Sequence, residues 1–97
     1  MKCCYILFSE KLNRFYIGVC QDDLNERILK HNNHTYGNHR FTAKASDWIL
    51  FFLIDCESYS QAVKIEKHIK AMKSRVYIRN LAKYPDISLQ LLNKFKD

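Results

Sequence analysis

Among the side chains whose types handle phosphate chemistry, five stand at positions that single them out: Tyr5, Tyr16, Arg27, His31 and Glu66. Arg27 carries several donors in a planar fork, a shape that suits a phosphate. The commoner role for such a residue is an exposed helix arginine. His31, one helical turn further on, can donate to a phosphate or move a proton. It can equally offset the dipole at a helix C-terminus. Glu66 stands beside Ile65 and one turn before Ile69 and Lys70, at the border of an apolar stripe. A carboxylate near a buried face needs a partner. Lys70 at i+4 is the plain structural partner, worth about 0.2–0.5 kcal/mol. A divalent cation such as Mg²⁺ is the functional one, because it takes few carboxylates and fills its shell with waters and phosphate oxygens. Tyr5 and Tyr16 fall in two strand-like segments and can share one sheet face. Tyrosines also pack well in strands for no reason beyond packing. Gly18 lies two residues after Tyr16, on the same strand face. A glycine there leaves bare backbone that a ligand or another chain segment can approach.

These residues need a frame. Residues 3–8 and 15–20 are β-branched, aromatic and apolar and predict two strands. The polar segment Ser9–Arg14 between them is short enough for an antiparallel hairpin. Asp23 with Glu26 predicts a helix start, with Leu24 and Ile28 on the buried face. Arg27 and His31 then project side by side from one flank of that face. Residues 32–47 are polar and predict a long loop that brings His34, His39, Arg40 and Lys44. Residues 48–54 form a continuous apolar run, which predicts a third strand covered on both faces and therefore central. Ser58 with Gln61 predicts the next helix, striped with Ala62, Ile65, Ile69 and Met72. Ser74 caps a further helix that stops near Tyr84-Pro85. A last amphipathic helix over 86–96 carries Ile87, Leu91, Leu92 and Phe95, and either caps the core or offers a dimer face.

The order β-β-α-β-α plus C-terminal helices implies an α+β fold: a small three-stranded antiparallel sheet flanked by helices. The expected organisation is one domain over 1–97, with its core in 3–84. Sixteen Lys and Arg against ten Asp and Glu give a net charge of +6. That balance favours polyanions, nucleic acid before an anionic membrane. No segment is long and apolar enough to span a bilayer, and the start of the chain lacks signal-peptide anatomy, so a cytoplasmic location is expected. Cys3, Cys4, Cys20 and Cys56 form no Cys-x-x-Cys pair and are expected to be reduced. Their spacing with His31, His34 and His39 follows no zinc-finger pattern.

Taken in order, several segments resemble the GIY-YIG nuclease superfamily over roughly residues 3–84. Tyr16-Ile17-Gly18 is the second half of the name-giving motif pair. Cys3-Cys4-Tyr5 stands where the first half would be and keeps its tyrosine. Leu24–Asn32 is similar to the family helix with its Arg and, in small stand-alone members, a His-Asn ending. Phe41-Thr42, Trp48 and Ala62–Lys70 match later blocks. The nearest likeness is to stand-alone members similar to the N-terminal catalytic domain of the excision-repair incision subunit.

The resemblance implies a metal-dependent endonuclease that hydrolyses DNA phosphodiesters. By that likeness Tyr5 positions or deprotonates water, Tyr16 bonds water or phosphate, and Arg27 stabilises charge on the phosphate. Likewise His31 assists, and Glu66 holds one Mg²⁺ or Mn²⁺. Expected nucleic-acid contacts are Lys11, Arg14, Gly18, Arg40, Lys44 and Lys70. Phe8 stands where many relatives carry a Lys, which weakens phosphate contact or shifts it to Lys11, Arg14 or Lys44. Asn80 is the nearest counterpart of an Asn that follows the metal Glu in relatives. Larger relatives add a DNA-binding domain, and none fits in this length. Target choice then falls to the loop 32–45, the basic helices or a partner protein, and a partner protein or a homodimer is the expected assembly. Structure-selective or weakly sequence-specific cutting of DNA, on repair or recombination intermediates, is the expectation. The alternatives are a catalytically silent nucleic-acid-binding module of the same fold and a small protein whose basic face binds an acidic partner.

Overall fold

The computed structural model describes residues 2–35 and 41–97. The elements follow as β1 (Cys3–Ser9), β2 (Arg14–Cys20), α1 (Leu24–Asn32), a 3-10 turn (Phe41–Lys44), β3 (Ile49–Asp55), α2 (Tyr59–Met72), α3 (Arg75–Lys83) and α4 (Pro85–Lys94). The three strands form one antiparallel sheet in the order β2-β1-β3. The α+β architecture is therefore the expected one. Among the described residues no helix is long and apolar enough to cross a membrane.

β1 is the central strand, and it is buried along almost its whole length. Alternation sends Cys4 and Ile6 into one core and Cys3, Tyr5 and Leu7 into another. The first core receives Ala62, Ile65 and Ile69 from α2, Ile78 and Leu81 from α3, and Leu91 from α4. The second receives Leu24 from α1, together with Ala45 and Trp48. With both faces covered, β1 reads as an unbroken apolar run.

The centrality expected of β3 is corrected. Its run is equally continuous, yet β3 is an edge strand and Ile49 is 61% exposed. Apolar content at the start of β3 exceeds what the fold buries there. The register slips between Ile6↔Phe52 and Leu7↔Leu50, so Phe51 is the extra residue of a bulge. Met72 is a second correction. It closes the predicted stripe of α2 but is 44% exposed, because the helix ends there.

The helix starts follow their capping residues. Backbone N–H groups of Glu26, Gln61 and Tyr77 donate to the side chains of Asp23, Ser58 and Ser74. Gln61 departs from a capping box in one respect. Its Oε1 accepts from the Glu57 N–H at 2.7 Å, and its Nε2 donates to the Leu92 carbonyl at 3.0 Å. A buried amide thus clamps the start of α2 to α4. The last helix caps the core: Leu91 is buried, and Ile87, Leu92 and Phe95 pack beside it. Its first turn holds Pro85, placed where a missing N–H is harmless.

Asp47 fastens the hairpin to the segment before β3. It accepts from the Ser9 hydroxyl at 2.6 Å and from the Lys11 N–H at 2.9 Å. The Ser9 hydroxyl, and next the Lys11 N–H, hold its carboxyl below the ordinary value of 3.8.

Two outcomes follow from these clamps. Gln61→Ala strands the Leu92 carbonyl and the Glu57 N–H and is expected to destabilise by about 1–3 kcal/mol in urea unfolding. Asp47 has its lowered pKa only when folded, so its contribution is complete above pH 3.8 and is lost as pH falls below it. Asp47→Asn should therefore flatten the fall in stability below that pH. An unchanged acid limb in thermal melts would remove Asp47 from the account.

Candidate active site

The sheet register decides what meets what. Tyr5 pairs with Gly18, and Leu7 pairs with Tyr16. Tyr5 and Tyr16 share a face, as their spacing predicts, with ring centroids 6.4 Å apart. The room left by Gly18 is filled from within the protein. A Cβ at position 18 would stand 2.6 Å from Cζ and the hydroxyl of Tyr5 and 3.1 Å from Cε2 of Tyr16. The glycine is there so that the Tyr5 phenol can lie across the backbone of β2. The gap read from the sequence as room for a ligand or another backbone is occupied by this ring.

His31 arrives from the last turn of α1. Its Nε2 lies 3.0 Å from the Tyr5 hydroxyl, and its Nδ1 lies 2.8 Å from the Thr42 hydroxyl. Its ring is 5.0 Å from that of Tyr16. Tyr5, His31 and Thr42 are all buried. Each has a hydrogen-bonded partner, as buried polar groups require.

Thr42 and Asn32 hold this arrangement, and sequence reasoning gave neither a role. The Thr42 carbonyl accepts from the Trp48 indole N–H at 2.8 Å. Asn32 Nδ2 donates to the Trp48 carbonyl at 3.0 Å, and Oδ1 accepts from the Trp48 N–H at 2.7 Å. The amide thus joins the end of α1 to the start of β3 like a short strand pair. His34 braces the same segment, with Nε2 3.0 Å from the Ala45 carbonyl and 3.1 Å from the Ser46 hydroxyl. The His-Asn ending of α1 was the available signal. The first residue meets the tyrosines, and the second fixes the helix end that carries it.

Arg27 sits one turn before His31 on α1 and is half-buried. Glu66 stands elsewhere. It is on α2, the helix whose Ala62, Ile65 and Ile69 cover the other face of the sheet. Its side chain is 17% exposed, and a carboxylate oxygen lies 3.4 Å from Lys70 Nζ. Glu66 is also among the charges that push the Cys4 thiol up, after burial and Cys56. Cys4 and Tyr5 point to opposite faces of β1. The structure therefore brings together Tyr5, Tyr16, Gly18 and His31, with Arg27 one turn before His31 on the same helix, and packs the helix that carries Glu66 on the other face of the sheet. α2 packs against β2 and β1, and β2 is an edge strand.

Among the described cationic candidates, Arg14 and Lys70 line one cavity, and Lys11 and Lys44 do not. Lys11 and Arg14 are exposed at the hairpin turn and the start of β2. Lys44 is exposed, with its Nζ 5.3 Å from the Phe41 ring centre. Lys70 pairs with Glu66, and Arg40 and His39 lie outside the described residues. Phe8 packs 4.9 Å from Phe15, on the face away from Tyr5. Asn80 lies on α3, its carbonyl accepting from the Tyr84 N–H.

All four cysteines are free and buried. Burial pushes the Cys3 thiol up to about 11 and raises those of Cys4 and Cys56. At Cys3, Cys4 and Cys56 this disfavours the thiolate, the form that binds a metal. Among the described residues no three His, Cys, Asp or Glu side chains gather to hold a metal. A lone, partly exposed carboxylate still suits one kind of ion. Mg²⁺ keeps several waters and needs few protein ligands when phosphate supplies the rest.

The chain matches the GIY-YIG catalytic domain over residues 1–80, and it belongs to that family. It is a family of endonucleases, so the fold is that of a nuclease domain. No curated protein and no solved structure matches the chain significantly.

Gly18→Ala drives a methyl group into the Tyr5 phenol. We expect a loss of about 1–3 kcal/mol in urea unfolding. Adding Tyr5→Phe removes one of the two colliding atoms and should recover part of that loss. Strict additivity of the two substitutions would show that the collision is relieved in some other way.

Proposed function

We propose that this protein is a metal-dependent endonuclease that hydrolyses DNA phosphodiesters, with structure-selective or weak sequence preference. The observation that carries the reading is the buried Tyr5–His31–Thr42 chain beside Tyr16. A core needs no such chain for packing. Hydrolysis needs a placed water, charge neutralisation and a proton path, and these groups supply the first and the last.

Burial suggests a division of labour. Family likeness assigns the water to Tyr5, but Tyr5 is only 1% exposed. Tyr16 is half-buried and is the phenol of the pair with more exposed surface. We assign water or phosphate contact to Tyr16 and a positioning role behind it to Tyr5. His31 links Tyr5 to Thr42 and can relay a proton, because either ring nitrogen can donate while the other accepts. When Nε2–H donates to the phenol oxygen, it stabilises negative charge there. Arg27 offers its fork to the phosphate.

Glu66 would hold the ion, which supplies charge neutralisation at the phosphate when bound. With Glu66 across the sheet, the two sets of groups can serve one phosphate only around the open edge of β2. Arg27 and Glu66 flank the sheet on its two faces, which suits a strand laid over that edge. Lys70 is the present counter-ion of Glu66 and leaves only a weak pair to displace.

Labelled branched, flapped and linear DNA with Mg²⁺ or Mn²⁺ tests this. Tyr16→Phe is expected to slow cleavage roughly 10²–10⁴-fold. Glu66→Gln should abolish the metal response while DNA binding persists. Tight binding with no cutting of any substrate by the unaltered protein would instead identify a silent binding module.

A further inference from the structure

A second feature lies against β2, on the face away from Tyr16. It is an open-sided cavity of about 260 Å³ between the start of β2, the end of α2 and the start of α3. Its floor is apolar: Phe15 and Ile17 from β2, Ile69 from α2 and Ile78 from α3. Its rim is cationic: Arg14, Lys70, Lys73 and Arg75. No carboxylate lines it. Among the described residues the ion pairs are Lys64–Asp97 and Lys70–Glu66, so Arg14, Lys73 and Arg75 carry uncompensated charge.

Arg75 is also held still. Its Nη1 donates to the Asn13 carbonyl at 2.9 Å, and its Nη2 donates to Asn13 Oδ1 at 2.8 Å. Its guanidinium lies 5.4 Å from the Phe15 ring centre. Both hydrogen-bond partners are neutral oxygens, so the charge stays available. A fixed cation loses little conformational freedom when an anion binds.

We propose that this cavity receives one unpaired nucleotide of the nucleic-acid substrate, with its phosphate on the rim and its base on the floor. The substrate class rests on the nuclease reading; the cavity is an additional site. An apolar floor under a ring of cations matches the two halves of a nucleotide. Its location fits as well. Lys70 belongs to the rim and pairs with Glu66 one turn away. Phe15 and Ile17 flank Tyr16 in sequence and point to the opposite face of β2. A strand crossing the edge of β2 meets the candidate active site on one side and the cavity on the other. A paired base cannot enter, so the cavity favours substrates with a single-stranded portion. The phosphates of a continuous duplex can reach only the rim.

The test is binding without cleavage. Fluorescence anisotropy in EDTA compares a labelled single-stranded oligonucleotide with the same sequence as blunt duplex, across a KCl series. The unaltered protein should prefer the single strand. Lys73→Asn suits the left-handed backbone at that position (φ 48°) and removes the charge. Arg14→Gln removes a second charge at an exposed site. Each should lower the salt slope by about 0.7, the loss of one single-strand phosphate contact. Each should weaken binding roughly tenfold. Phe15→Leu, with circular dichroism confirming the fold, should weaken single-strand binding and leave duplex binding unchanged. A mononucleotide should displace the oligonucleotide at lower concentration than inorganic phosphate does. Equal potency of the two would reduce the cavity to a plain anion site and overturn the base contact. Unchanged single-strand binding by Lys73→Asn and Arg14→Gln, or no single-strand preference, would overturn the proposal even if the protein cuts DNA. A protein that never cuts but shows the preference and its loss would keep the cavity and defeat the nuclease reading.

Discussion

Tyr5 lying across Gly18 is the constraint on which the rest of the site depends. The two residues are register partners, and the phenol occupies the space where any other side chain at position 18 would begin. A slip of one residue between β1 and β2 would invert the pleat and send Tyr5 and Tyr16 to opposite faces. The hairpin is therefore locked by contact across the pair as well as by hydrogen bonds along it. From this lock the Tyr5 hydroxyl reaches His31, and His31 reaches Thr42. Asn32 and Trp48 then tie α1 to β3, so the far ends of this face are fixed by the same local geometry.

The sheet is thin enough to be used from both sides. One core holds the tyrosines and His31, and the other holds the helix that carries Glu66. In a large domain such a separation would divide two sites. In this small sheet β2 is an edge strand, and on the proposed function a nucleic-acid strand laid over it touches both faces. The distribution of side chains along β2 agrees: Tyr16 and Gly18 serve one face, Phe15 and Ile17 the other, and Arg14 begins the strand. The net charge of +6 is partly gathered there, at Arg14, Lys70, Lys73 and Arg75.

Much of the frame was legible because it is set locally. Asp23, Ser58 and Ser74 announced their helices, and each hydroxyl or carboxylate makes its cap bond. The hairpin and the shared face of Tyr5 and Tyr16 followed from alternation. The order of the sheet was not legible from the run at 48–54. A continuous apolar stretch is compatible with two covered faces, but it does not require them. Exposed Ile49 shows the difference, while the truly central β1 looked no more apolar. The roles of Thr42 and Asn32 were not legible because their partners lie 11 and 16 residues away, beyond any periodic pattern. Gly18 was read as an opening for a ligand or another backbone, whereas the Tyr5 side chain, 13 positions earlier in sequence, fills it.

The energetics of the buried chain argue for its purpose. A hydrogen bond made on folding contributes a net ~0.5–1.5 kcal/mol, while an unsatisfied buried partner costs about 1–3 kcal/mol. Replacing a whole hydrogen-bonded set with apolar groups of similar shape is close to neutral by the same reckoning. A domain of this size gains little margin from its core and would lose nothing by filling that space with phenylalanine, leucine and valine. Instead the space holds a phenol, an imidazole and a hydroxyl, every one of which must be matched or become a liability. Stability gives no reason for that choice. On the proposed function, a side chain that can accept a proton at one nitrogen and release one from the other, behind a half-buried tyrosine, supplies that reason.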